Sequence, residues 1–229
     1  MESTLHIATA LRFAVNLGNP VISSKDEQGN LSGISIALAY KISAELGKRA
    51  EFVIYESAGG VVKDAASDKW DIAFLAIDPQ RKNVIQFTQP YLIIEGTIMV
   101  PENSRIFSVK EIDHAGNVIN VAIGAVYDLY LSRQIKRSTM QRYGSSKEAI
   151  DMFVNGQGDM VAGIRQVLVN RVAADKRFRV LPDSFAEIQQ SICVPCSQSS
   201  LSELISELIS RWHSQGEIKN LINEFIASK

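Results

Sequence analysis

The stretch from Trp70 to Tyr91, WDIAFLAIDPQRKNVIQFTQPY, constrains this chain more than any other. Ile72 to Ile77 is an uninterrupted apolar run, the pattern of a strand covered on both faces in a parallel sheet, and Asp78 and Pro79 end it as turn formers. In open α/β sheets ligands bind beyond the carboxyl ends of the strands. Arg81 lies in the turn that leaves this strand, where its planar guanidinium can be presented to a carboxylate. A lone loop arginine is otherwise a solvated surface residue, so the surrounding pattern must decide between the two.

Elsewhere the chain alternates strand and helix with short connections, which predicts mainly parallel sheet flanked by helices. Strands are expected at Leu11 to Val15, Glu51 to Tyr55, Val118 to Val121, Thr139 to Tyr143, Met160 to Gly163 and Phe178 to Leu181. Ile34, Leu38, Ile42 and Leu46 recur every four residues ahead of Gly47 and predict a helix over Ser35 to Leu46. Further helices are expected at Gly59 to Ser67, Val126 to Ile135, Ser145 to Asn155 and Ile164 to Asp175. Near the C-terminus, Ser200 and Glu203 form a capping-box pattern, with Leu201, Leu204, Leu208 and Trp212 as a core stripe beside Ile205 and Ile209. A last helix carries Ile218, Leu221, Ile222 and Phe225.

The Trp70–Tyr91 pattern resembles the signature of the family 3 extracellular solute-binding proteins, the capturing components of polar amino-acid ABC importers. LRFAVNLGNP is similar to that family's first strand and loop, DEQGNLSGISIALAYKISAELG to its hairpin and first helix, and GEIKNLINEF to its last helix. The resemblance implies an α/β chain of two Rossmann-like lobes joined by a two-segment hinge, the type II periplasmic-binding-protein fold. Lobe 1 would comprise residues 1–100 and 191–229, and lobe 2 residues 101–190, with crossings at Leu92 to Val100 and near Glu187 to Gln190. Each lobe would carry its own sheet rather than share one. A small carboxylate-bearing molecule, an amino acid or related organic acid, would be held between the lobes, with Arg81 on its carboxylate. ABC transporter membrane subunits are a possible partner, and a monomer without cofactor or metal is expected.

Departures from the family pattern bear on the ligand. Phe74 and Ala76 stand where amino-acid binders carry Ser, Thr or Gly, and Gly124-Ala125-Val126 replaces a hydroxyl-bearing turn. The N–H groups of Ala125 and Val126 could still receive an anion at the helix start. Ile164 and Arg165 stand where an acid would pair with a ligand ammonium, and Ser57 where an aromatic would stack. The candidate contacts are Asn19, Glu56, Phe74, Ala76 and Arg81 from lobe 1, and Gly124, Ala125, Val126, Tyr127 and Arg165 from lobe 2. A buried ammonium without its acid costs several kcal/mol, more than one good contact returns. An acid lacking the amine is therefore expected to bind better, with Glu56 and Glu95 as possible substitute acids. Arg165 would either reverse the local field or point to solvent from its helix.

Other classes compete with solute capture. A dehydratase of the same fold, cyclohexadienyl dehydratase-like, would need a catalytic glutamate near Gln166, and an amide cannot exchange protons at neutral pH. A cytoplasmic ligand sensor of this fold would need a DNA-binding segment, and no basic helix-turn-helix is visible. With 229 residues and a net charge of −1, neither nucleic acid nor an anionic membrane is favoured as partner. MESTLHIATALRF shows no leader pattern, so the protein is periplasmic if Met1 replaces a removed signal and cytoplasmic if Met1 is native. Cys193 and Cys196 form a C-x-x-C within an expected strand, where residues three apart face opposite ways, and His6, His114 and His213 are scattered. A redox or metal role is therefore not expected.

Overall fold

The computed structural model describes residues 9–227. The N-terminal stretch with His6 lies outside the described residues, as does the side chain of Phe225.

Strand β1 (Ala10–Asn16) leads to a hairpin of β2 (Ser24–Lys25) and β3 (Leu31–Ser32), then α1 (Ile34–Glu45), β4 (Arg49–Tyr55), α2 (Ala58–Lys63) and β5 (Ile72–Ala76). A long strand, β6 (Ile85–Pro101), precedes β7 (Val118–Ala122), α3 (Val126–Gln134), β8 (Thr139–Tyr143), α4 (Ser146–Val154), β9 (Met160–Ile164) and α5 (Arg165–Ala174). The chain closes with β10 (Phe178–Val180), β11 (Ala186–Pro195), α6 (Ser199–Ser214) and α7 (Glu217–Ala227). Each expected strand and helix is present within a few residues of its expected bounds. The strongest signals, apolar runs and four-residue repeats, are the ones packing enforces.

The strands run in the order β4-β1-β5-β11-β6-β9-β7-β8, with β10 also on β6. Pairing is parallel at both ends, β4-β1-β5 and β9-β7-β8, and antiparallel where β11 and β6 join them. The expectation of two separate sheets is therefore corrected. The crossing segments are themselves strands: β6 has 17 residues and pairs with β11 from Ile85 to Gly96 and with β9 from Gly96 to Met99. At about 3.3 Å per residue it is long enough to serve both ends. Register shifts interrupt the β6–β11 pairing at Gln190/Ser191 and Ser191/Cys193.

The apolar cores, unlike the ladder, are separate. Around β4, β1 and β5, one cluster joins Phe13, Leu38, Ile42, Phe74, Ile209 and Trp212, and another gathers Val61, Trp70 and Leu75 on the opposite face. Around β9, β7 and β8, Ile98, Val121 and Leu131 lie in one cluster and Met99, Phe153 and Leu168 in another. Helix α6 departs from its expected pattern. It starts at Ser199 with Gln198 at the cap and no side-chain cap bond, so the Ser200–Glu203 box does not form. Its buried stripe is Ile205, Leu208, Ile209 and Trp212, while Leu204 is exposed, because the helix is rotated to bring Ile205 rather than Leu204 onto the sheet. Cys193 is buried at the end of β11 and Cys196 is exposed beyond it, both as free thiols.

Candidate functional site

Both parallel ends of the ladder point strand carboxyl termini at one place. Asn16 ends β1, Glu56 and Ser57 follow β4, Ala76 ends β5, Ala122 ends β7 and Ile164 ends β9; all line a cavity of about 40 Å³, together with Asn19, Arg81, Ala125, Tyr127 and Gln190. That volume has room for about three waters at 10–15 Å³ each. Gln190 reaches the cavity because its register partner across β11–β5 is Ala76.

Arg81 is the buried charge of this lining. The turn after β5 begins at Asp78, whose side chain accepts the Gln80 N–H at 2.9 Å, and Pro79 supplies the fixed backbone angle for the next position. The chain thereby folds back under the end of β5. Arg81 is 2% exposed; its Nη1 donates to the Ala76 carbonyl at 2.8 Å and its Nη2 to the Gly124 carbonyl at 2.9 Å. Its Nε, also buried, has no partner. Burial lowers the Arg81 pKa, the nearby Asp78 opposes that shift, and the group remains a cation at neutral pH.

The opposite wall is the start of α3. Gly124 adopts φ +70°, and a Cβ there would come within 3.1 Å of the Gly59 Cα. Tyr127 is buried, its hydroxyl pKa pushed up to about 12 by that burial, and it bonds the Ser146 hydroxyl at 2.8 Å; Ser146 in turn donates to the Gly18 carbonyl at 3.1 Å. Hydroxyls thus tie the second wall to the loop after β1.

Of the residues expected from sequence, Asn19, Glu56, Ala76, Arg81, Ala125, Val126 and Tyr127 line the cavity, and Gly124 touches Arg81 through its carbonyl. Glu56 is exposed at the rim. Phe74 is a correction: it lies back from the strand end, 1% exposed and stacked on Phe13 at 6.2 Å in the core, and does not line the cavity. The Ala125 N–H is a second correction, being consumed by the Ala122 carbonyl at 3.1 Å, which removes one of the two donors expected for an anion. Arg165 is the third. Its Nη1 donates to the Leu181 carbonyl at 3.0 Å, its Nη2 to Asp183 and Ser184 at 2.9 Å, and its Nε pairs with Glu95. All three guanidinium nitrogens are bonded away from the cavity, and the hydrogen bond to Glu95 draws its pKa down. Glu95 is therefore no substitute acid for the cavity.

Ser57 lines the cavity as expected, as N-cap of α2. Gln166 is exposed and bonded to Asn170. Asn16, Ser146 and Gln190 were not singled out from sequence. Asn16 and Ser146 carry a findable signal, since one ends a strand and the other opens a helix, whereas Gln190 needs the register of β11.

The profile of the bacterial extracellular solute-binding proteins, family 3, matches residues 11–228. The chain belongs to that family. Among its relatives is the glutamine-binding protein of an ABC transporter of Bacillus subtilis, 21% identical over 203 residues, which are 86% of this chain and 74% of the relative. An ancestral arginine-binding protein solved with arginine superposes with a TM-score of 0.85 at 23% identity, covering 96% of this chain and 99% of its own. An ancestral amino-acid-binding protein described as a precursor of cyclohexadienyl dehydratase gives 0.80 at 20% identity, with 95% of each chain covered. The fold is accordingly that of the type II periplasmic binding proteins, and a solute-binding role follows from the family. Among the described residues, no helix is long and apolar enough to cross a membrane.

Proposed function

We propose that this chain captures a small carboxylate-bearing solute between two lobes and that Arg81 holds the carboxylate. The observation that carries this is a buried guanidinium in the cavity lining, held in place by two carbonyls and with an unpartnered Nε. Lobe 1 would take the N-terminal strands with α6 and α7, and lobe 2 the segment between the crossings. The separate cores favour this division, and the packing of Ile98, Met99 and Val100 with the second lobe supports a boundary in the Leu92–Gly96 part of the expected crossing rather than after Val100. The cavity is walled from both lobes, so capture would involve hinge motion between them.

Relatives named for glutamine and arginine make an amino acid the first solute to test. The lining argues for a variation on it. Asp78 is paired with Arg133, Asp128 with Arg142 and Glu95 with Arg165, which leaves the exposed Glu56 as the acid able to meet an ammonium. Ile164, an apolar side chain, occupies the cavity wall at the end of β9. An acid without the amine is expected to bind about tenfold or more tighter than its amino counterpart. Arg165 no longer contributes to that expectation. Calorimetric titration of glutarate against L-glutamate, and of 4-carbamoylbutyrate against L-glutamine, tests it; tighter binding of the amino forms, lost in Glu56→Gln, would assign Glu56 as the ammonium partner instead.

In this reading the protein is a monomeric, exported component that hands its solute to ABC transporter membrane subunits, and it performs no chemistry. The exposed Gln166, bonded to Asn170 rather than facing the cavity, supports the non-enzymatic reading.

A further inference from the structure

The turn that carries Arg81 touches α3 twice. Arg81 donates to the Gly124 carbonyl just before the helix, and Asp78, three residues earlier, accepts from both nitrogens at the tip of Arg133, at 3.3 and 2.8 Å, in the helix's last turn. The seven helical residues Val126 to Ser132, about 10 Å of rise, lie between the two grips. Asp78 is 1% exposed and is the same residue that caps the Arg81 turn, so one carboxylate both shapes that turn and receives Arg133. Arg133 itself does not line the cavity.

We infer that Arg133 is a positioning residue for solute capture: its pair with Asp78 holds the far end of α3 and so fixes the helix start, Ala125 to Tyr127, against Arg81. The inference rests on the two-lobe reading above. A buried carboxylate that already accepts one amide gains more from a two-point guanidinium contact than an exposed pair would, since its remaining lone pairs are satisfied. Opening the cleft must break this contact, so it slows solute release and leaves diffusion into the open cleft unchanged.

The test compares wild type, Arg133→Ala and Arg133→Lys. Spin labels on Ala66→Cys and Lys147→Cys, both exposed and on opposite sides of the cleft, in a Cys196→Ser background, report the distance between lobes without any solute. Arg133→Ala is expected to shift weight from the short distance of this structure to longer ones, with Arg133→Lys between the two. Stopped-flow release of glutarate and of L-glutamine should accelerate about tenfold in Arg133→Ala, while association rises by no more than the gain in open molecules that the distances report. A purely structural role for Arg133 would lower thermal stability and move neither readout. Superimposable distance distributions for wild type and Arg133→Ala overturn the inference, as do equal release rates. If neither solute binds the wild type, the solute reading fails and the distances still decide the role of Arg133.

Discussion

Two buried strands in this molecule, β5 and β9, end in the same way and send the arginines that follow them in opposite directions. Each is apolar throughout, each points its carboxyl end at the cavity, and each is followed closely by an arginine, Arg81 or Arg165. After β5, Asp78 and Pro79 turn the chain back, so Arg81 lies under the strand end with its guanidinium in the cavity wall. After β9 there is no turn: Arg165 is the first residue of α5, and its side chain runs outward to the carbonyls of residues 181–183 and to Glu95. The difference teaches that an arginine past a strand end enters the cavity wall through the turn that precedes it. Its position at the strand end is not enough.

The largest effect that could break this comparison is on solute affinity. Arg81→Ala should weaken binding roughly 30- to 1000-fold, the range expected for a desolvated arginine–carboxylate contact, whereas Arg165→Ala should change it by less than about threefold. Because Arg81 also bonds Ala76 and Gly124, its removal should cost stability too, contrary to what a free cleft arginine would show. Arg81→Lys, which keeps the charge and loses the fork, separates the two losses. Comparable losses of affinity in Arg81→Ala and Arg165→Ala would erase the distinction.

A smaller effect is expected where Gly124 meets Gly59. Gly124→Ala places a side chain in the left-handed region at φ +70° and 3.1 Å from Gly59, so closure should be strained and affinity fall about tenfold, read by the same titration. The smallest effect belongs to Arg165. Arg165→Ala removes bonds to the 181–184 segment and should lower Tm by about 2–4 °C with Kd unmoved, seen by calorimetry.

How far the sequence reveals this site follows from the same contrast. The apolar run of β5, its Asp-Pro stop and the four-residue repeat of α1 are local signals, and each element forms as read. Arg81 was legible because its turn is written beside it. Phe74 shares a face with Ala76 but lies back from the strand end, packed on Phe13, so only the last residues of β5 meet the cavity, and sequence does not show how far along the strand the cavity reaches. From sequence Arg165 fits either cleft or solvent, and it takes a third place because its acceptors are backbone carbonyls 16 to 18 residues downstream. Gln190 enters through strand register, and the single continuous ladder through the pairing of β6 with β11, neither of which is written in any short window of sequence.

The central claim, that Arg81 receives the carboxylate, is tested most directly by a crystal structure with the tightest-binding member of the glutarate and glutamine series. The account predicts both carboxylate oxygens within about 3 Å of the Arg81 guanidinium, with Arg165 still bonded to Glu95 and the 181–184 segment. A solute whose carboxylate sits on Arg165, or one bound while Arg81 contacts only the Ala76 and Gly124 carbonyls, would contradict it.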